Sequence, residues 1–145
     1  MLLKPKIGID NIKFGMTLTN ITEILGEPDR KKIDDDDDNS LLWEFNALKI
    51  RLTFYKNEDG RFGYLRTMNP NLVFNEHKII RSKIEFVKKE IFGKIVSEWE
   101  IDEYDFFTTH FNEEYWLTLH EEYGVVSKIE MGTPFKNHEE YYWPV

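Results

Sequence analysis

Leu48, Ile50, Leu52 and Phe54 alternate with Lys49, Arg51, Thr53 and Tyr55. A period of two puts the apolar row on one face of a β-strand and the polar row on the other, which describes a sheet with one open face. The segment "KNEDG" follows, with Asp59-Gly60 suited to a positive-φ turn position, and "FGYLRTM" returns as the partner strand until Asn69-Pro70 ends it. Ahead of this hairpin the period changes. In "FGMTLTNITEILGEPDR", Ile21, Ile24 and Leu25 form a helical stripe, Thr17 can cap its start, and Gly26 followed by Pro28 stops it, which predicts a short helix over about residues 18–25.

A second helix is expected after Ser82, with Glu85 completing a capping box and Ile80, Ile84, Val87 and Ile91 supplying the apolar stripe. Its other face carries Lys83, Lys88 and Lys89, with Lys94 just beyond. Aromatic strands around 98–111, a turn at "NEE", a strand "YWLTLH", a turn "EEYG" and a strand "VVSKIEM" complete the series, which closes at Thr133-Pro134. The halves rhyme: Leu25-Gly26 with Phe92-Gly93, "RLTFY" with "WLTLH", and Asn69-Pro70 with Thr133-Pro134. The expected fold is α+β, a single domain over 1–145 of two αβββ-like repeats, with the helices packed on one face of an antiparallel sheet. Repeat 1 covers about 7–70, repeat 2 about 77–134, and a tail spans 135–145.

Charge sharpens this picture. The formal net charge is -8, yet residues 1–94 hold 17 Lys and Arg against 15 Asp and Glu, while residues 95–145 hold two lysines against 12 acids. The last third also contains 12 of the 22 aromatic residues, among them Trp99, Trp116 and Trp143. A nucleic-acid binder needs clustered basic residues to displace phosphate counterions, so no nucleic-acid partner is expected. Without cysteine there is no thiolate nucleophile, disulfide or zinc-thiolate site. The opening "MLLKPKIGID" has no apolar run of signal-peptide length, and no window approaches the ~20 apolar residues of a membrane-spanning helix, so a cytoplasmic location and no membrane contact are expected.

The segment "IKFGMTLTNITEILGEPD", residues 12–29, resembles a bacterial signature in which Gly-Met-Thr precedes Leu-Gly-x-Pro by about eight residues. Gly15, Met16, Thr17, Leu25, Gly26 and Pro28 carry it. It is similar to the SmpA/OmlA-like outer-membrane lipoproteins and to the tandem-repeat family of the β-lactamase inhibitory protein. The resemblance implies helical elements on an antiparallel sheet and, for the inhibitor, a concave sheet that grips a partner protein. The lipobox cysteine and the inhibitor's disulfide cysteines are missing here, so neither lipidation nor those crosslinks carry over. Within the signature the residues are structural: a turn glycine, a cap and a helix stop.

No catalytic residue is identified. The four serines lie in no nucleophile elbow, the four histidines lack metal-site spacing, and crowded carboxylates without a pocket are no acid-base pair. Asp34, Asp36 and Asp38 imitate a calcium loop, but Asn39 stands at the glycine position and Glu44 falls one residue short, so a solvated loop is expected there. Neither metal nor cofactor is expected. What remains is "SEWEIDEYDFF", residues 97–107, five carboxylates among aromatic rings with no base. If Leu117 and Leu119 face the core, Trp116, Thr118 and His120 share a face with Arg51, Thr53 and Tyr55, leaving Trp116 on the open side unless a loop or the C-terminal "YYWPV" covers it. Trp99, Glu100, Asp102, Glu103, Tyr104, Asp105, Glu113, Glu114, Trp116, Glu121 and Glu122 are the candidate partner-binding residues, the rings as anchors and the acids for electrostatic steering. The function this suggests is inhibition of a basic protein, as by an immunity protein neutralising a bacterial toxin. The alternative is an assembly domain that homodimerises through the open sheet face.

Overall fold

In the computed structural model, which describes residues 1–145, the chain is dominated by strands. In order these are β1 (Leu3–Lys4), β2 (Gly8–Ile9), β3 (Ile12–Lys13), α1 (Leu18–Leu25), β4 (Arg30–Ile33), β5 (Ser40–Phe45), β6 (Ile50–Tyr55), β7 (Arg61–Thr67), β8 (Val73–Phe74), β9 (His77–Lys78), α2 (Ile84–Phe86), β10 (Glu100–Glu103), β11 (Thr108–Asn112), β12 (Leu117–Glu122) and β13 (Val125–Gly132). Eight of them form one antiparallel sheet in the order β10-β11-β12-β13-β7-β6-β5-β4. The two halves of the chain meet at its centre, where β13 pairs with β7 through Glu130 opposite Arg66 and Met131 opposite Leu65.

The expected α+β architecture is corrected by this. Thirteen strands stand against two short helical segments, and each half gives the sheet four strands where three were anticipated. α1 forms as its grammar requires: Thr17 accepts from the Asn20 amide at 3.1 Å, Asn20 returns the favour to the Thr17 amide at 3.1 Å, and Gly26 ends the helix at φ 81°. α2 does not. Its regular part is three residues, continued by a wide turn over Val87–Ile91 in which the Phe92 amide donates to the Val87 carbonyl. Tertiary pairing overrides the capping box. The Ser82 carbonyl accepts from the Val126 amide, the Arg81 amide donates to the Val126 carbonyl, and the Ser82 hydroxyl is spent on the Lys78 carbonyl.

One face of the sheet holds the core. Trp43, Leu52, Leu65, Met131 and Leu117 lie in successive strands along one register row, and Ile50, Ile129 and Leu119 lie in the next. Ile21 of α1, Val87 and Ile91 of the second helical segment, and Leu3, Ile9 and Ile12 of the small β1–β3 sheet close over these rows in a cluster of 25 buried residues. Each fully buried Leu, Ile or Phe contributes about 1.5–3 kcal/mol, so this cluster outweighs the irregularity of the helices over it.

Candidate partner-binding surface

The turn between β11 and β12 shapes the surface first. Asn112 fixes it, accepting from the Tyr115 amide at 2.9 Å and donating to the Glu98 carbonyl at 3.1 Å. Trp116 then adopts φ 48°, a left-handed conformation that strains a bulky residue. Space for its ring comes from Gly132 of β13, where a Cβ would lie 2.5 Å from Trp116 Cδ1 and 2.8 Å from the Tyr64 ring. Trp116 stands edge-on to Phe111 and to Phe135, each with centroids 5.2 Å apart. Phe135 stacks on Tyr141 and Tyr141 on Tyr55, so the C-terminal tail roofs this end of the open face. The Thr133 hydroxyl, donating to the Tyr142 carbonyl, holds the tail in place.

Between the turn and the tail runs a groove of about 670 Å³. Trp116, Phe135, Pro134 and Tyr142 form its apolar wall, Glu113 and Glu114 its acidic lip, and Lys6 and Lys136 line it as well. Lys6 already approaches this lip, 3.6 Å from Glu114 and 4.7 Å from the centre of the Tyr115 ring. The site therefore shows, with the chain's own lysine, how it accommodates a cation: a carboxylate beside an aromatic face. A second cleft of about 460 Å³ adjoins it, bounded by Trp99, Glu98, Glu100, Glu113 and Glu114. Trp99 is half-buried, edge-on to Phe92 at 6.2 Å, so it braces this cleft more than it projects from it.

From that cleft the edge strand β10 leads to the far end of the sheet. All four of its residues are exposed. There the β10–β11 turn stacks Tyr104 on Phe107 at 4.7 Å and leaves Phe106 87% exposed. Tyr123, in the neighbouring β12–β13 turn, is fully exposed. Asp105 and Glu122 surround these rings in the open, whereas Glu121 is drawn inward by buried His110, whose Nε2 donates to it at 2.7 Å while Nδ1 accepts from Lys88 at 3.2 Å. The register thus divides the sequence-derived residues. Trp99, Glu100, Glu113, Glu114 and Trp116 gather at one end of β10–β12, Glu103, Tyr104, Asp105, Glu121 and Glu122 at the other, and Asp102 lies between.

Four aromatic residues of the surface were not among the candidate partner-binding residues: Phe106, Tyr123, Phe135 and Tyr142. Phe106 and Tyr123 sit in turns, where polar residues are the norm, and that departure was a usable signal. Tyr142 belongs to the "YYWPV" segment named as a possible cover for Trp116, and Phe135 had no signal, because its role depends on where the tail docks.

On the open face between the two ends, β12, β13, β7 and β6 align Thr118, Glu130, Arg66 and Arg51 in one row. His120 Nε2 donates to Glu130 at 2.5 Å, and Phe107 covers the imidazole at 5.7 Å. Burial alone would raise the Glu130 carboxyl, but the hydrogen bond and charge of His120, with Lys128 and Arg66, hold it below the usual carboxylate value. Burial and the adjacent Glu130 push the Tyr64 phenol upward. On this face Glu130 is met by His120 while Arg66 and Arg51 lie side by side outside any salt bridge, and acids outside any salt bridge lie at the β10 flank and in the Asp34–Asp38 loop after β4.

No family model matches the chain, and no curated protein resembles it in sequence. Among solved structures, it superposes on an extracellular SCP-domain-containing protein from Bacillus anthracis with a TM-score of 0.55 at 13% identity, over 81% of this chain and 43% of that one. It also matches a DUF4309-family protein (YjgB) from Bacillus subtilis with a TM-score of 0.48 at 14% identity, over 80% of this chain and 77% of that one. The chain thus spans less than half the length of the SCP-domain protein. At this identity the first likeness concerns the fold alone. No helix is long and apolar enough to cross a membrane.

Proposed function

We propose that this protein binds and inhibits a basic protein, in the manner of an immunity protein covering the cationic site of a toxin. One observation carries the proposal: Trp116, strained at φ 48° and seated on Gly132, walls a groove of about 670 Å³ whose lip is Glu113 and Glu114. A backbone held in a costly conformation to present a ring beside two carboxylates suits a guanidinium or ammonium group of a partner. The acids that extend along β10 to Asp105 add a long-range field that speeds encounter with a cationic surface, while the rings supply desolvated contact.

The test is genetic and direct. The product of the gene adjacent to this one is expressed alone and together with this protein. The expected outcome is growth arrest or loss of activity relieved by the wild type and not by the Trp116→Ala, Glu113→Lys double variant. Relief that the double variant provides equally well, or a neighbouring product that the protein does not inhibit, refutes the proposal.

A further inference from the structure

β10 is the last strand of the eight-stranded sheet on its side, and nothing pairs with its outer edge. In the β10–β11 hairpin the Tyr104 amide donates to the Phe107 carbonyl. By the alternation of an antiparallel ladder, Asp102 and Glu100 likewise turn their backbone groups toward β11, and Ile101 and Glu103 turn theirs outward. An unpaired row of N–H and C=O groups is a template for another strand. Charges on an edge ordinarily block such pairing, and here they block pairing with any acidic strand, including β10 of a second copy. They do not block a basic one. Nor does a guarded edge call for Ile101, which is 51% exposed, or for the exposed Phe106 just past the strand end.

We infer that β10 receives an extended basic segment of the partner protein as a ninth strand. The inference rests on the partner-binding function proposed above and specifies its chemistry. Backbone pairing through Ile101 and Glu103 supplies affinity without sequence preference; the side chains decide the sequence. Glu100 and Asp102 project to the open face, in register with Phe111 and Thr109, whereas Ile101 projects to the other face, in register with His110. The segment therefore carries Lys or Arg at alternate positions, opposite Glu100 and Asp102, with an apolar residue between them opposite Ile101. Its ends reach the Trp99 cleft on one side and the Tyr104 and Phe106 rings on the other. The opposite edge of the sheet, β4, carries Arg30, Lys31 and Lys32 on the strand itself and runs into the acidic Asp34–Asp38 loop, so it has no unbroken acidic row of the kind that Glu100, Asp102 and Glu103 form along β10.

The experiment uses the full chain and a short, capped, fluorescent peptide of alternating arginine and valine, with anisotropy at low salt as the readout. Saturable binding that falls at least tenfold in the Glu100→Lys, Asp102→Lys variant, with an unchanged circular dichroism spectrum, supports the inference. Two further peptides of identical charge separate pairing from plain attraction: one N-methylated on its odd residues, the other on its even residues. Only one of these sets can face β10, so a tenfold or greater difference between the two is expected, and equal affinities overturn strand addition. Asp35→Lys, Asp36→Lys, in the acidic loop after β4 at the other edge of the sheet, should leave peptide affinity within about twofold, and a large loss there relocates the binding and overturns the inference. Peptide binding and inhibition are separate readouts, so peptide binding by a protein that inhibits nothing refutes the proposed function alone, and inhibition without peptide binding refutes strand addition alone. Self-association of the protein without peptide, abolished by Lys32→Glu, overturns it too, because β4 of a second copy would then be the occupant.

Discussion

Gly132 and Trp116 are sixteen positions apart in sequence and in contact in space, and their fit sets the shape of the groove. An added methyl at Gly132 meets Trp116 Cδ1 at 2.5 Å and the Tyr64 ring at 2.8 Å, so Gly132→Ala is expected to cost about 1–3 kcal/mol and to displace the indole. Urea unfolding followed by tryptophan fluorescence measures both effects. Glu130 makes a prediction of opposite kind. Its folded carboxyl is held below the ordinary value, so its contribution to stability is present above the normal carboxylate range and is lost as pH falls through the folded value. Glu130→Gln should therefore flatten the acid limb of the stability profile. Tyr55 and Tyr64 are raised mainly by burial, so their contribution is complete below the ordinary phenol value of 10 and is lost as pH rises beyond it. Tyr64→Phe is expected to soften that alkaline loss. The alternation of Leu117 and Leu119 sufficed to place Thr118 and His120 on the open face. The positive φ of Trp116 was not legible, because it depends on Gly132 arriving beside it through the β12–β13 register.

The two helical segments show what local grammar can and cannot specify. α1 follows its sequence because nothing competes for Thr17: the cap and its reciprocal bond to Asn20 form within four residues. Thr17→Ala is expected to cost about 1 kcal/mol in thermal or urea unfolding. Ser82 carries a comparable signal and loses it to strand-like pairing with Val126, so Glu85, exposed and without a capping partner, should tolerate alanine with a change below about 0.5 kcal/mol. Equal losses at Thr17 and Glu85 in the same assay would contradict this contrast. Strand β6 and its hairpin with β7 were readable from alternation and turn chemistry, both of which act over a few residues. The fourth strand of each half was harder. β4, with Arg30, Lys31 and Lys32, is basic and nearly unalternating, and β10 is acidic but for Ile101, so both lack the apolar row that identifies a strand, and β10 fell within the strands expected around 98–111 only through the aromatic residues that flank it. Both are edges, and an edge strand buries little.

Across the whole molecule, the sheet turns a gradient of charge along the chain into a gradient across space. Because β7 and β13 meet at the centre, the strand that opens each half's series is pushed to an outer edge, basic β4 on one side and acidic β10 on the other. The imbalance of residues 95–145 was plain in composition; that it would concentrate along one unpaired edge between two aromatic clusters required the topology. The stretch "SEWEIDEYDFF" then makes physical sense as cleft, edge and tip in succession, with Trp99 bracing one end and Phe106 exposed at the other. The most direct measurement of the central claim, that this flank meets a cationic protein, is the association rate with the product of the adjacent gene, followed by stopped-flow fluorescence from low to high ionic strength. A rate that falls steeply with salt, and falls again at low salt in the Glu100→Lys, Asp102→Lys variant, is predicted. A rate indifferent to both salt and those substitutions would contradict it.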